Sequence, residues 1–217
     1  MKVLNLYAGI GGNRKLWSGD IQVTAVEIEP KIAAVYHDLY PDDELIIGDA
    51  HQYLLDHFGE FDFIWTSPPC QSHSKMRQNV CVRLHGSRPG YPDMRLYQEI
   101  IFLQYNARCR WVVENVDPYY GELIRASMIR RHLFWSNFPL PMNDGECIET
   151  IREDQVPDLE EKFGFDLSRY KLPGKRQVLR NCVDPELGRM IFDAAMSGAV
   201  QRRIMDYGEK VLAEGAR

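Results

Sequence analysis

At 217 residues, with 45% hydrophobic and 11% aromatic side chains, the chain can bury a full core as one domain with room for a small appendage. Its five cysteines, Cys70, Cys81, Cys109, Cys147 and Cys182, are odd in number and form no CxxC pair, which argues for reduced thiols, against a disulfide framework or zinc ribbon, and for no bound metal. The net charge of −5 gives no global sign of nucleic-acid binding, although a phosphate-binding face needs only local positive potential.

Met1–Tyr7 lacks the charged start and apolar stretch of a signal peptide, and no apolar run is long enough for a bilayer; a soluble intracellular protein without membrane contact is expected. Instead Lys2–Tyr7 (KVLNLY) reads as a strand, followed by strands at Gln22–Glu27, Glu44–Ile47, Phe61–Thr66, Arg110–Glu114 and Arg131–Asn137. Helical patterns lie between them at Lys31–Leu39, Gln52–Phe58 and Asp93–Ala107. Short β-branched strands alternating with helices predict a doubly wound α/β fold, Rossmann-like, with a mostly parallel sheet covered by helices on both faces. Its ligand then belongs at the carboxyl ends of the strands. Gln71–Pro92 reads as a long functional loop rich in Gly, Ser and Pro. A proline-broken stretch divides the chain into a main domain, 1–138 with 177–217, and a small insert, 139–176. The tail from Pro185 to Ala213 is expected to form two helices packed on the sheet.

The first strand runs into Tyr7-Ala8-Gly9-Ile10-Gly11-Gly12, a glycine turn at which a ligand can approach the backbone. Glu27 closes the second strand, where a carboxylate can accept hydrogen bonds from ribose hydroxyls, and Asp49 follows the third, within reach of an adenine amine. The turn alone is a weak signal, since its spacing is not GxGxxG; with the two acids it suggests an adenosine-type cofactor, NAD or S-adenosylmethionine. The fourth strand ends in Thr66-Ser67-Pro68-Pro69-Cys70-Gln71-Ser72, in which two prolines fix the backbone ahead of a thiol. A free cysteine is commonly buried and inert, but this rigid placement at the ligand edge favours a reactive one. The fifth strand ends in Glu114-Asn115-Val116; desolvation there is expected to raise the Glu114 pKa and make it a proton donor near neutrality.

Leu4–Gly12, Val26–Glu29, Gly48–Ala50, Pro68–Gln71 and Glu114–Val116 resemble, in order and spacing, the motifs of the cytosine-5 DNA methyltransferases. Arg130–Pro139 (RRHLFWSNFP) looks like the paired-arginine strand of that family, and Asn181–Pro185 (NCVDP) like its last motif. The resemblance implies S-adenosylmethionine as cofactor, with S-adenosylhomocysteine as product, held by Tyr7, Ala8, Gly9, Gly11, Gly12, Glu27, Ile28, Asp49, Ala50, Pro68, Asn181 and Cys182. It implies a flipped-out cytosine in double-stranded DNA, with Cys70 adding to carbon 6 and Glu114 acting at ring nitrogen 3 and the exocyclic amine. Asn115 would support the Pro68–Cys70 loop and Arg130 would steady the flipped nucleotide. A cytoplasmic protein of a bacterial or phage-infected cell is expected, and whether a restriction enzyme accompanies it is left open.

The chain departs from the family pattern in several places. The register of Phe134-Trp135 puts Arg131 between the paired positions and His132 at the second, and Arg180 stands where the family usually has glycine. Tyr7 replaces the usual phenylalanine, and only Pro139 to Arg180 is available for target recognition, so a short target sequence is expected. Gln71, Ser72, Lys75, Arg77, Arg83, Arg88 and Arg131 are the candidate DNA contacts, with His73 and His85 adding polar ones. Two rivals use the same fold: an RNA cytosine-5 methyltransferase, and a non-catalytic DNA-binding or partner subunit, against which intact Cys70, Glu114 and Asn115 argue. A nicotinamide-dependent oxidoreductase leaves Pro68–Gln71 unexplained.

Overall fold

Alternating side chains of the first strand point to opposite sides of the sheet, and both sides are buried. In the computed structural model, which describes residues 1–142, 155–172 and 174–197, strand β1 (Lys2–Leu6) sends Leu4 and Leu6 to one layer and Val3 to the other. β2 (Gln22–Glu27), β3 (Glu44–Ile47), β4 (Phe63–Thr66) and β5 (Arg110–Val116) run parallel to β1 in the order β3-β2-β1-β4-β5. β7 (His132–Ser136) lies antiparallel beside β5, and the edge strand β6 (Ser127–Ile129) pairs antiparallel with it.

Helices α2 (Ala50–His57) and α3 (Arg95–Asn106) cover one face, burying Leu54, Leu96, Ile100 and Leu103 against Leu4, Ile64 and Val113. On the other face α6 (Pro185–Ser197) buries Leu187, Ile191 and Phe192, and Phe192 stacks on Trp17 with ring centroids 5.0 Å apart. Helix α1 (Pro30–Leu39) together with α4 (Val156–Phe163) and α5 (Lys175–Arg180) forms a third apolar cluster around Ile10, Val35, Leu159, Phe163 and Leu179. Residues 155–172, expected within the small insert, thus pack on the same body as the glycine turn; residues 143–154 and the second expected tail helix lie outside the described residues.

The sequence reading needs two corrections here. Gln71–Pro92 is not loop throughout: Arg77–Leu84 winds into a π-helical segment, with the His85 N–H donating to Val80 O at 3.0 Å, five residues back. Its glycine and proline are confined to the stretch from Gly86 onward, so nothing breaks the earlier turns. β6 was not expected, because three residues, two of them exposed, carry too little apolar pattern to signal a strand.

Candidate active site

β1 and β4 are neighbours whose connections leave in opposite directions, which opens a crevice at their carboxyl ends. There the chain leaves β1 through Tyr7 and Gly9, both in the left-handed region at φ 55° and 56°. The Gly9 N–H donates to Glu27 Oε2 and the Glu29 N–H to Glu27 Oε1, each at 2.9 Å, so the backbone itself orients the buried Glu27 carboxylate. Gly12 is required by packing, since a Cβ would sit 2.5 Å from Val183 O. Gly188, at the start of α6, is pressed against the same turn: its Cβ would lie 2.4 Å from Asn13 O.

A cavity of about 280 Å³ occupies the crevice. Of the expected cofactor residues, Tyr7, Ala8, Gly9, Gly12, Glu27, Ile28, Pro68, Asn181 and Cys182 line it. Gly11, Asp49 and Ala50 do not. Gly11 packs under the Tyr40 ring, whose hydroxyl donates to its carbonyl at 2.8 Å. Asp49 caps α2, accepting the His51 N–H at 2.9 Å, and Ala50 is buried at the first position of that helix. Asp49 caps the helix through Oδ1, and its Oδ2, 3.9 Å from Arg95 Nη1, belongs to a half-exposed side chain.

Cys70, Gln71, Glu114, Arg131 and His132 line the same cavity. Asn115 stands behind it and donates from Nδ2 to Pro68 O at 2.9 Å, holding the diproline turn. Burial pushes the Cys70 thiol up to about 11, the Glu114 charge adds to this, and Arg131 opposes it. For Glu114 the expected upward shift is reversed. Burial alone would raise it, but the charge and hydrogen bond of His132, with Ser67 and Arg131, hold it below the usual carboxylate range. His132 Nδ1 lies 2.5 Å from Glu114 Oε1, and both residues are buried.

Arg130 and Arg131 form the two-residue tip joining β6 to β7. Arg130 takes a left-handed φ of 55° and turns toward Asp184, 3.5 Å away, not onto the cavity wall. Arg131 and His132, the next two residues, stand on the cavity wall. Arg180 also lines the cavity, so the residue that breaks the family pattern is itself at the site. Outside the cavity, Ser72 accepts the Asp93 N–H at 2.9 Å, Lys75 pairs with Asp117, and Arg77, Arg83 and Arg88 are exposed. His73 is corrected as a surface contact: it is fully buried, with Nδ1 2.7 Å from the Tyr120 hydroxyl, whereas His85 is exposed. Sequence reasoning missed Glu99, which accepts from the Tyr7 hydroxyl and Thr66 Oγ1, both at 2.6 Å; its place three residues after Leu96 and four before Leu103 marks it as buried.

The parallel order β3-β2-β1-β4-β5, extended by a reversed β7 and with an acid closing β2 at the crevice, defines an S-adenosylmethionine-dependent methyltransferase fold. Residues 1–86 match the model of the C-5 cytosine-specific DNA methylase family, which bears out the resemblance over that span. No curated protein sequence matches the chain. Among solved structures it is similar to a conserved hypothetical protein of Streptococcus pyogenes (15% identity, TM-score 0.42, 62% of this chain and 83% of that one). It is also similar to the putative methyltransferase yhhF of Escherichia coli (15%, TM-score 0.40, 62% and 73%) and to the methyltransferase EhMeth of Entamoeba histolytica (17%, TM-score 0.33, 54% and 38%). Fold and family imply use of S-adenosylmethionine. The cavity fits that cofactor: each Glu27 oxygen accepts one backbone N–H and keeps a lone pair for a ribose hydroxyl, and a Cβ at Gly9 would meet open space. Ile28, 66% exposed, offers an apolar edge beside it. Among the described residues no helix is long and apolar enough to cross a membrane, and no three His, Cys, Asp or Glu side chains cluster as a metal site.

Proposed function

We propose that the chain is a DNA cytosine-5 methyltransferase acting on a flipped-out cytosine in a short duplex target. One observation carries this reading: Cys70 and Glu114, on separate strand ends, line the cavity that also contains the glycine turn and Glu27. Glu114, Arg131, His132 and Asn181 all lie beyond the residues matched to the family, yet the fold brings them to the matched ones. The bound cofactor supplies an electrophilic sulfonium methyl group. The protein's part is to activate the base. Asn115 fixes the Pro68 carbonyl and so the approach of the Cys70 sulfur to carbon 6 of the cytosine. The thiol must first lose its proton, and Arg131 is the positive group that favours the thiolate. Glu114, with His132 Nδ1 2.5 Å from its Oε1, accepts from the exocyclic amine and hydrogen-bonds at nitrogen 3 as negative charge develops there. Addition of sulfur to carbon 6 and protonation or hydrogen bonding at nitrogen 3 together make carbon 5 nucleophilic.

Exposed Arg77, Arg83 and Arg88 follow the nucleophile on one segment and suit contact with the phosphate backbone. The test is incubation with duplex DNA containing 5-fluorocytosine and S-adenosylmethionine. Wild type should form a denaturation-resistant protein–DNA complex and Cys70→Ser should not. A wild type that traps no duplex but traps tRNA, or neither, sinks the reading.

A further inference from the structure

Among the described residues the most deeply buried carboxylate lies on α3. Glu99 on α3 is 1% exposed among Leu96, Tyr97, Ile100 and Leu103. A carboxylate in such surroundings is costly unless donors surround it, and three do. Its Oε1 accepts the Tyr7 hydroxyl at 2.6 Å and lies 2.9 Å from His51 Nδ1, while Oε2 accepts Thr66 Oγ1 at 2.6 Å. These partners come from the ends of β1 and β4, the two strands that open the crevice, and from the first turn of α2. Tyr7 is also on the cavity wall and has a left-handed backbone, a conformation that an unanchored tyrosine rarely keeps.

We propose that Glu99 is a positioning residue of the cofactor cavity: it fixes the Tyr7 side chain on the cavity wall, and His51 makes that hold sensitive to pH. This rests on the reading that the cavity binds S-adenosylmethionine. Glu99 never touches the cofactor; it acts through the Tyr7 hydroxyl. The charged groups facing His51 are Glu99, Arg95 and Asp49, and those facing Tyr7 are Glu99, Arg95 and Asp49. The hydrogen bond to Glu99 raises His51 above its usual value, burial opposes this, and the Glu99 charge reinforces it. The pairing is therefore complete at low pH and lost as pH rises through the folded value. Once His51 is neutral, Glu99 loses the imidazolium that offsets the burial of its charge, and its hold on Tyr7 loosens.

The experiment is calorimetric titration of the full chain with S-adenosylhomocysteine between about pH 6 and pH 9, a range that brackets histidine titration, with thermal melts as the check on folding. Tyr7→Phe and Glu99→Gln should each weaken binding roughly fivefold, the scale of one hydrogen bond. The double variant should bind no more weakly than Glu99→Gln alone. Wild-type affinity should fall as pH rises, and His51→Asn should flatten that slope. If Glu99→Gln does not fold, Tyr7→Phe and His51→Asn decide by the same criteria. Wild-type-like affinity in the Tyr7 and Glu99 variants, strictly additive losses, or a wild-type profile without slope overturns the proposal alone. Absence of binding by the wild type overturns the cofactor reading beneath it.

Discussion

Replacing His132 with leucine removes, at similar volume, the imidazole whose charge and hydrogen bond hold the Glu114 carboxyl down. The pair is buried, with side-chain exposures of 7% and 8%, so water cannot replace what is lost. Removing one partner of a buried pair costs about 3–5 kcal/mol. Arg131 stays near Glu114, which favours the lower end of that range. At roughly 2–4 °C per kcal/mol for a chain of this size, the melting temperature should fall by about 6–12 °C. The pH dependence separates this cause from simple misfit. In the wild type the Glu114 pKa lies below its ordinary value, so its stabilisation is present above the unfolded carboxylate range and lost as pH falls through the folded value. Without His132, burial is opposed only by Ser67 and Arg131, and the Glu114 pKa moves upward. The loss should therefore be larger at about pH 8 than at about pH 5, read by circular dichroism melts. Equal losses at both pH values, or a loss below about 2 °C, would refute the reasoning.

Alkylation of Cys70 by iodoacetamide in the ligand-free protein should be slow at neutral pH and rise steeply toward its value of about 11; Glu114→Gln should move the rise to lower pH, because the charge that adds to burial is gone. Replacing Arg77, Arg83 and Arg88 together with serine should weaken duplex binding and reduce the slope of log affinity against log salt by about 3 if each meets a phosphate, whereas an unchanged slope places them off the DNA.

Much of this architecture was legible in the amino acids. The runs from Lys2, Gln22 and Arg110 bury Val3, Val23, Thr24, Val26, Trp111, Val112 and Val113, β-branched or aromatic residues, so their strands follow from pattern. Cys70 stands four residues past β4 and Glu114 two residues before the end of β5, so both read from the sequence as groups near strand ends. The choice among Arg130, Arg131 and His132 was not. Strand alternation begins only at His132, and the two arginines sit in a tight turn where a left-handed Arg130 sends its side chain toward Asp184. Nor could the sequence show the direction of the Glu114 shift, which depends on His132 arriving from the antiparallel neighbour. The capping role of Asp49 went unread because helix capping and ligand binding ask for the same residue at the same place.

The close seating of Gly188 on Asn13, and of Val183 on Gly12, means that the cavity is walled by the earliest and some of the latest described parts of the chain. During synthesis the glycine turn emerges long before α6 can dock on it, so the pocket is among the last features to be completed. A ligand of this cavity at a concentration about 100 times its Kd would add about 2.7 kcal/mol to the finished fold and nothing to a chain in which α6 has yet to seat.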